Sequence, residues 1–194
     1  MPNLTTWSMR RAAGLLLILS SIANFAGVWM YNQRNGAAGL PPIPGFFIYE
    51  RSLIVAAVVL TALGFAVLEG EFAESRGRVL ARIGATAYLF AGVLLATAEA
   101  LNLTLGSEAV RGLGVIYAVM AFLAQASIGG ALLRSRMVAT WIASITTLWN
   151  MAWLIVLLLV SPSDIYFPVL HHLMPLIIGI ALLRKPPSKN LPVE

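Results

Sequence analysis

Six mostly apolar stretches follow one another along the chain: Ala12 to Tyr31, Phe47 to Leu68, Val79 to Leu103, Leu113 to Leu133, Met137 to Val160 and Ile165 to Leu183. A helix rises about 1.5 Å per residue, so about 20 residues cross the ~30 Å of hydrocarbon in a bilayer. The runs do not alternate apolar with polar as the ten-residue strands of a membrane barrel would. The pattern predicts an all-α, polytopic membrane protein with six transmembrane helices in one bundle, a single transmembrane domain over residues 1–194. The first run follows Arg10 and Arg11 and has small residues near Ala26, as a signal peptide would. Its apolar stretch is long for that role and reads as a span.

Within the runs, polar and small residues recur at helical spacing. Ser20, Asn24, Gly27 and Tyr31 share a stripe, as do Glu50, Ala57, Thr61 and Gly64, and Tyr88, Gly92, Ala96 and Glu99. The fourth run has Gly114, Ala118, Ala121, Gln125 and Gly129, and the fifth Ala143, Thr146, Thr147, Asn150 and Trp153. Small residues let backbones approach and polar ones avoid lipid, so these stripes should turn inward. For Asn24, Gln125 and Asn150 the expected role is hydrogen bonding between helices.

Composition agrees. The chain is 59% hydrophobic and 11% charged, against about 45–50% and 25% in soluble domains. The absence of cysteine excludes disulfides, thiolate nucleophiles and cysteine-held metal clusters. The net charge of +5 lies at run ends rather than in one patch, which speaks for membrane topology and against nucleic acid. With both termini in the cytoplasm, Arg10, Arg11, Arg76, Arg78, Arg82, Arg134, Arg136, Arg184, Lys185 and Lys189 lie inside and Arg34, Arg51 and Arg111 outside, ten against three. On the outside, the connection Asn32 to Gly45 is rich in Gly and Pro. It is either a semi-rigid cover or a plain connector.

Ionisable groups within the runs are the candidate chemistry, because an ion at the bilayer centre costs about 2.5–3.5 kcal/mol and must pair, neutralise or meet water. Glu50, Glu99, His171 and His172 all fall in the expected outer leaflet, the histidines about 9 Å into the sixth run. Singly, Glu50 can pair with Arg51 at the headgroups, and Glu99 can snorkel with Asn102. Together, two carboxylates and two imidazoles at one depth point to a shared outward-facing pocket, with Asn150 as a further polar contact. Adjacent helical residues diverge by about 100°, so His171 and His172 cannot both face one point, and one of the two is expected to face inward. Pro175 lacks an N–H and leaves the carbonyl of His171 as a spare acceptor inside the membrane, for a ligand or a neighbouring helix.

The adjacent histidines lack the i, i+4 spacing of a zinc pair, no other run contains histidine, and no phosphate loop, nucleophile elbow or dinucleotide fingerprint occurs. No metal and no cofactor are expected. The segments GGALLRSRMVATWIA and IGIALLRK resemble helix ends of a broad group of uncharacterised bacterial six-span integral membrane proteins, mainly over the second half of the chain. The resemblance implies a bacterial plasma membrane and no particular chemistry. Three functions stay open. The first is an outward pocket for a lipid, small amphiphile or cation, in a transporter or receptor. The second is a membrane enzyme using a Glu/His acid–base pair. The third is a non-catalytic subunit that partners other helices, in a homo-oligomer or a membrane complex. Membrane lipid is an expected partner in each.

Overall fold

The computed structural model describes residues 4–34, 46–105, 107–159 and 168–184. These form six helices and, among the described residues, no strand: α1 (Leu4–Arg34), α2 (Phe46–Gly70), α3 (Arg78–Leu105), α4 (Ser107–Ser135), α5 (Thr140–Leu159) and α6 (Pro168–Leu183). Five are long and apolar enough to cross a membrane, the architecture of a multi-pass membrane protein. The sixth is not. α6 has 16 residues, and its apolar part, Leu170–Leu183, is a shorter helix. Its first residue is a proline, which suits the first helical position because the N–H missing there has no helical partner anyway. The expected start of this run at Ile165 and most of the Asn32–Gly45 loop lie outside the described residues, although α1 continues through Arg34.

α1 packs against α2 on one side and α6 on the other, α3 lies between α2 and α4, and α5 lines up beside α4. The start of α1 and the end of α6 share one end of the bundle, called here the terminal end, because the Arg10 side chain donates to the carbonyl of Leu182 (3.2 Å). A second Arg10 N–H reaches the carbonyl of Met137 (3.1 Å). One guanidinium thereby serves a carbonyl left open by the last turn of α6 and another beside the start of α5. The far end carries Arg34 of α1 and the start of α2.

In lipid the hydrophobic effect does not drive helices together, so close packing and hydrogen bonds must. α1 and α6 approach closely at a pair of glycines: a Cβ on Gly179 would lie 2.8 Å from the carbonyl oxygen of Gly14, and one on Gly14 would lie 3.0 Å from that of Gly179. Seven residues further along each helix, Ser21 Oγ donates to the carbonyl of His172 (3.0 Å), which confirms the antiparallel register. Extending it places Pro168 opposite about Phe25, so α6 begins about 14 Å short of the far end of α1. With 16 residues, about 24 Å, α6 falls short of a full crossing, and the histidines near its start lie close to the level of Ser21, at mid-depth of α1.

The core is built from Leu17, Phe65, Leu68, Tyr88, Leu95, Ile128, Leu132 and Ile178, all buried. Large apolar side chains such as Leu15, Leu63, Phe90, Leu123, Leu148 and Ile155 face outward. That distribution would be costly in water and suits acyl chains.

Candidate functional site

The polar groups form two clusters rather than one pocket. The first is at the far end. Arg34 Nε donates to Glu50 Oε2 (2.8 Å), Arg51 Nε lies 3.1 Å from Glu50 Oε1, and Arg51 Nη1 donates to Glu99 Oε1 (3.0 Å). Two arginines thus balance two carboxylates from three helices. The Phe47 ring lies 5.1 Å from the Arg34 guanidinium carbon and 5.3 Å from that of Arg51, within cation–π reach of both. Glu50 is fully buried, which the paired charges make tolerable. The expected Glu50–Arg51 pair is present. Glu99 turns to Arg51 rather than to Asn102, because α2 and α3 bring these side chains face to face.

The second cluster surrounds His171 at mid-depth. The Tyr88 hydroxyl is 3.0 Å from His171 Nε2, and Gln125 Nε2 is 3.1 Å from the same atom. Gln125 also donates to the carbonyl of His171 (3.0 Å). This is the carbonyl that Pro175 deprives of its helical N–H, so a neighbouring helix supplies the donor that the proline removed. The geometry also assigns the tautomer. An amide nitrogen donating to the backbone oxygen can only donate to the ring, so Nε2 bears the lone pair and Nδ1 the proton.

Aromatic rings enclose the imidazole: Phe122 edge-on at 5.1 Å, Tyr117 at 5.5 Å and Tyr88 stacked at 5.7 Å. Thr61 and Tyr117 also lie beside the Tyr88 side chain. The Trp149 indole N–H donates to the carbonyl of Leu170 (3.3 Å), so three neighbouring helices hold the first turns of α6 by its backbone, through Ser21, Gln125 and Trp149.

Both histidines are buried, contrary to the expectation that only one would face inward. Adjacent residues do diverge, but α6 has protein on two sides: His171 turns to α3 and α4, and His172 lies with its carbonyl against α1. The shared Glu/His pocket does not form. Glu99 is eleven residues beyond Tyr88 on α3, about 16 Å of helix, and the late start of α6 places the histidines at the depth of Tyr88. An acid–base pair of Glu99 with a histidine has no geometric basis here. A cation site on the two acids is disfavoured as well, since the arginines already cancel their charge. Asn150 belongs to neither expected partnership: its Nδ2 donates to the carbonyl of Thr146 in its own helix (2.7 Å).

Two acceptors of this centre remain open. Gln125 Oε1 and Asn150 Oδ1 are buried and have no hydrogen-bond partner among the described residues. Gly129 of α4 packs against Thr146 and Thr147 of α5, and this register places Asn150 at the level of Gln125. A buried unpaired acceptor costs about 1–3 kcal/mol. Glu99 Oε2 is likewise buried and unpartnered at the far end.

Sequence reasoning placed Tyr88 and Gln125 on packing stripes and overlooked Tyr117, Phe122 and Trp149. Pro175 signalled the open acceptor, but no signal along the chain named its donor. Among the described residues no group of three His, Cys, Asp or Glu side chains is arranged to hold a metal. No protein-family model, no curated protein and no solved structure matches the chain.

Proposed function

We propose that this chain is a multi-pass protein of a bacterial plasma membrane, with its terminal end in the cytoplasm, that binds a small amphiphile at the polar centre around His171. The site lies at mid-depth, deeper than the outward-facing pocket expected from residue depth alone. The observation that carries the reading is the pair of buried, unpartnered acceptors, Gln125 Oε1 and Asn150 Oδ1, at one level of adjoining helices beside an aromatic enclosure. Such acceptors require a donor, so the ligand presents a hydroxyl or amine from an otherwise apolar body. The neutral ring nitrogen and the carbonyl of His171 are already occupied, which favours a role in shaping the site over a role in proton transfer.

Native mass spectrometry of the purified full chain tests this. The wild type should retain a small amphiphile, and Asn150→Leu, close in volume but without the acceptor, should lose it while still melting cooperatively. A wild type that carries no such molecule, together with an Asn150→Leu variant more stable than its parent, would mean that the open acceptors are only strained packing. The bundle would then be a helix-binding subunit.

A further inference from the structure

The terminal end contains a cleft that the polar centre does not involve. It has a volume of about 640 Å³ and is lined by Arg76, Leu133, Arg134 and Arg136. We propose that this cleft holds the phosphate of an anionic phospholipid headgroup.

All three arginine side chains are exposed, and among the described residues none of them makes a hydrogen bond or ion pair. At the far end Arg34 and Arg51 are each matched by a carboxylate. Among the described residues no acid lines the cleft. Guanidinium groups suit phosphate because their parallel N–H donors match two of its oxygens at once. α4 ends beside the cleft, and its carbonyl end repels an anion with about half an elementary charge. Three guanidinium charges outweigh that.

The backbone holds the three groups together. Gly77, next to Arg76, packs so tightly on α4 that a Cβ there would lie 2.5 Å from the carbonyl oxygen of Ala131. The α2–α3 turn therefore lies directly against the last turns of α4. Arg136 has φ of 53°, the only non-glycine positive φ among the described residues, at the position just past the helix where glycine usually sits. A glycine would end α4 without strain, so the turn alone gives no reason for an arginine. The left-handed residue aims a third guanidinium beside Arg134 and Arg76 on the cleft wall. Leu133, partly exposed, supplies an apolar wall toward the lipid-facing surface, where glycerol and the first acyl carbons would lie. Phosphate chemistry alone would also admit a soluble phosphate. The position at the helix ends, between the apolar belt and water, points to the lipid.

The test uses the full chain in vesicles of phosphatidylglycerol mixed with phosphatidylcholine, followed by native mass spectrometry, with inorganic phosphate as a parallel thermal-shift probe. The wild type should retain phosphatidylglycerol in preference to phosphatidylcholine. Retention should fall roughly ten-fold or more when Arg76, Arg134 and Arg136 are all changed to Gln, since each basic group at an anionic surface contributes a several-fold gain. Arg136→Gly guards against a folding artefact: it should raise the melting temperature in phosphatidylcholine alone, by relieving the strained φ, and yet lower phosphatidylglycerol retention. Equal retention by wild type and both variants would overturn the site. Stabilisation by inorganic phosphate without preference for phosphatidylglycerol would overturn the lipid and leave a soluble anion in its place.

Discussion

The far-end cluster and the mid-depth centre solve one problem in two ways. Both bury polar groups between helices in apolar surroundings. At the far end, the charge on Glu50 and Glu99 is cancelled by Arg34 and Arg51, supplied by the end of α1 and by α2. At mid-depth nothing is charged in this way: a neutral imidazole, a phenol and an amide share hydrogen bonds, and a proline-broken helix provides the acceptor. Charge is kept near the headgroups, where desolvation costs less, and the neutral network is kept where a charge would cost most. The comparison implies that the first cluster depends on sign and the second on shape and donor count.

The largest effect should come from Glu50→Ala. It leaves Arg34 and Arg51 without half of their counter-charge, and because both arginines are partly exposed the loss should be about 2–3 kcal/mol, below the full 3–5 for a wholly buried pair. Denaturation of the detergent-solubilised protein measures it. Glu50→Gln should lose nearly as much, and an equally stable Glu50→Gln protein would show that shape rather than charge holds the far end.

Next is the α1–α6 contact. Gly179→Ala forces a methyl into the 2.8 Å approach to Gly14 and should cost about 1–3 kcal/mol. It should also loosen the mid-depth centre first, visible as faster hydrogen exchange in α6 than in α2, because this contact sets the depth at which His171 meets Tyr88.

A double-mutant cycle addresses the centre itself. Gln125→Leu should cost about 1–2 kcal/mol in the native chain, where it strips the donor from the His171 carbonyl. In a Pro175→Ala background the restored backbone N–H can serve that carbonyl, so the same change should cost about 1 kcal/mol less. Additive costs would show that Gln125 and Pro175 are unrelated.

The smallest effect concerns pH at the terminal end. Burial pushes the Glu71 carboxyl above its ordinary value of 4.5, and the nearby Arg10 charge opposes this in part. The native state therefore holds this proton more tightly than the unfolded chain does. Its contribution favours folding below 4.5 and is lost as pH rises through the higher native value. The difference in stability between wild type and Glu71→Gln should change across that window and stay level on either side of it.

Much of the molecule was legible along the chain. The five long spans needed only run length and hydropathy, because a bilayer demands about 20 apolar residues whatever the neighbours do. The inward stripes followed from helical periodicity, and the spare carbonyl at His171 from the missing N–H of Pro175. These are local properties, determined within one helix by covalent structure and spacing. What only the tertiary structure decided was which groups meet. The depth of α6 depends on where Gly14 and Gly179 touch, so the histidines sit a half-span away from Glu99 although their distance from the start of the run suggested one level. Arg34 finds Glu50, and Gln125 finds His171, only because helices remote in sequence pack side by side. Periodicity tells which face of a helix turns inward, whereas the height at which two helices lock is set by side-chain contacts between them, and no single helix contains that information.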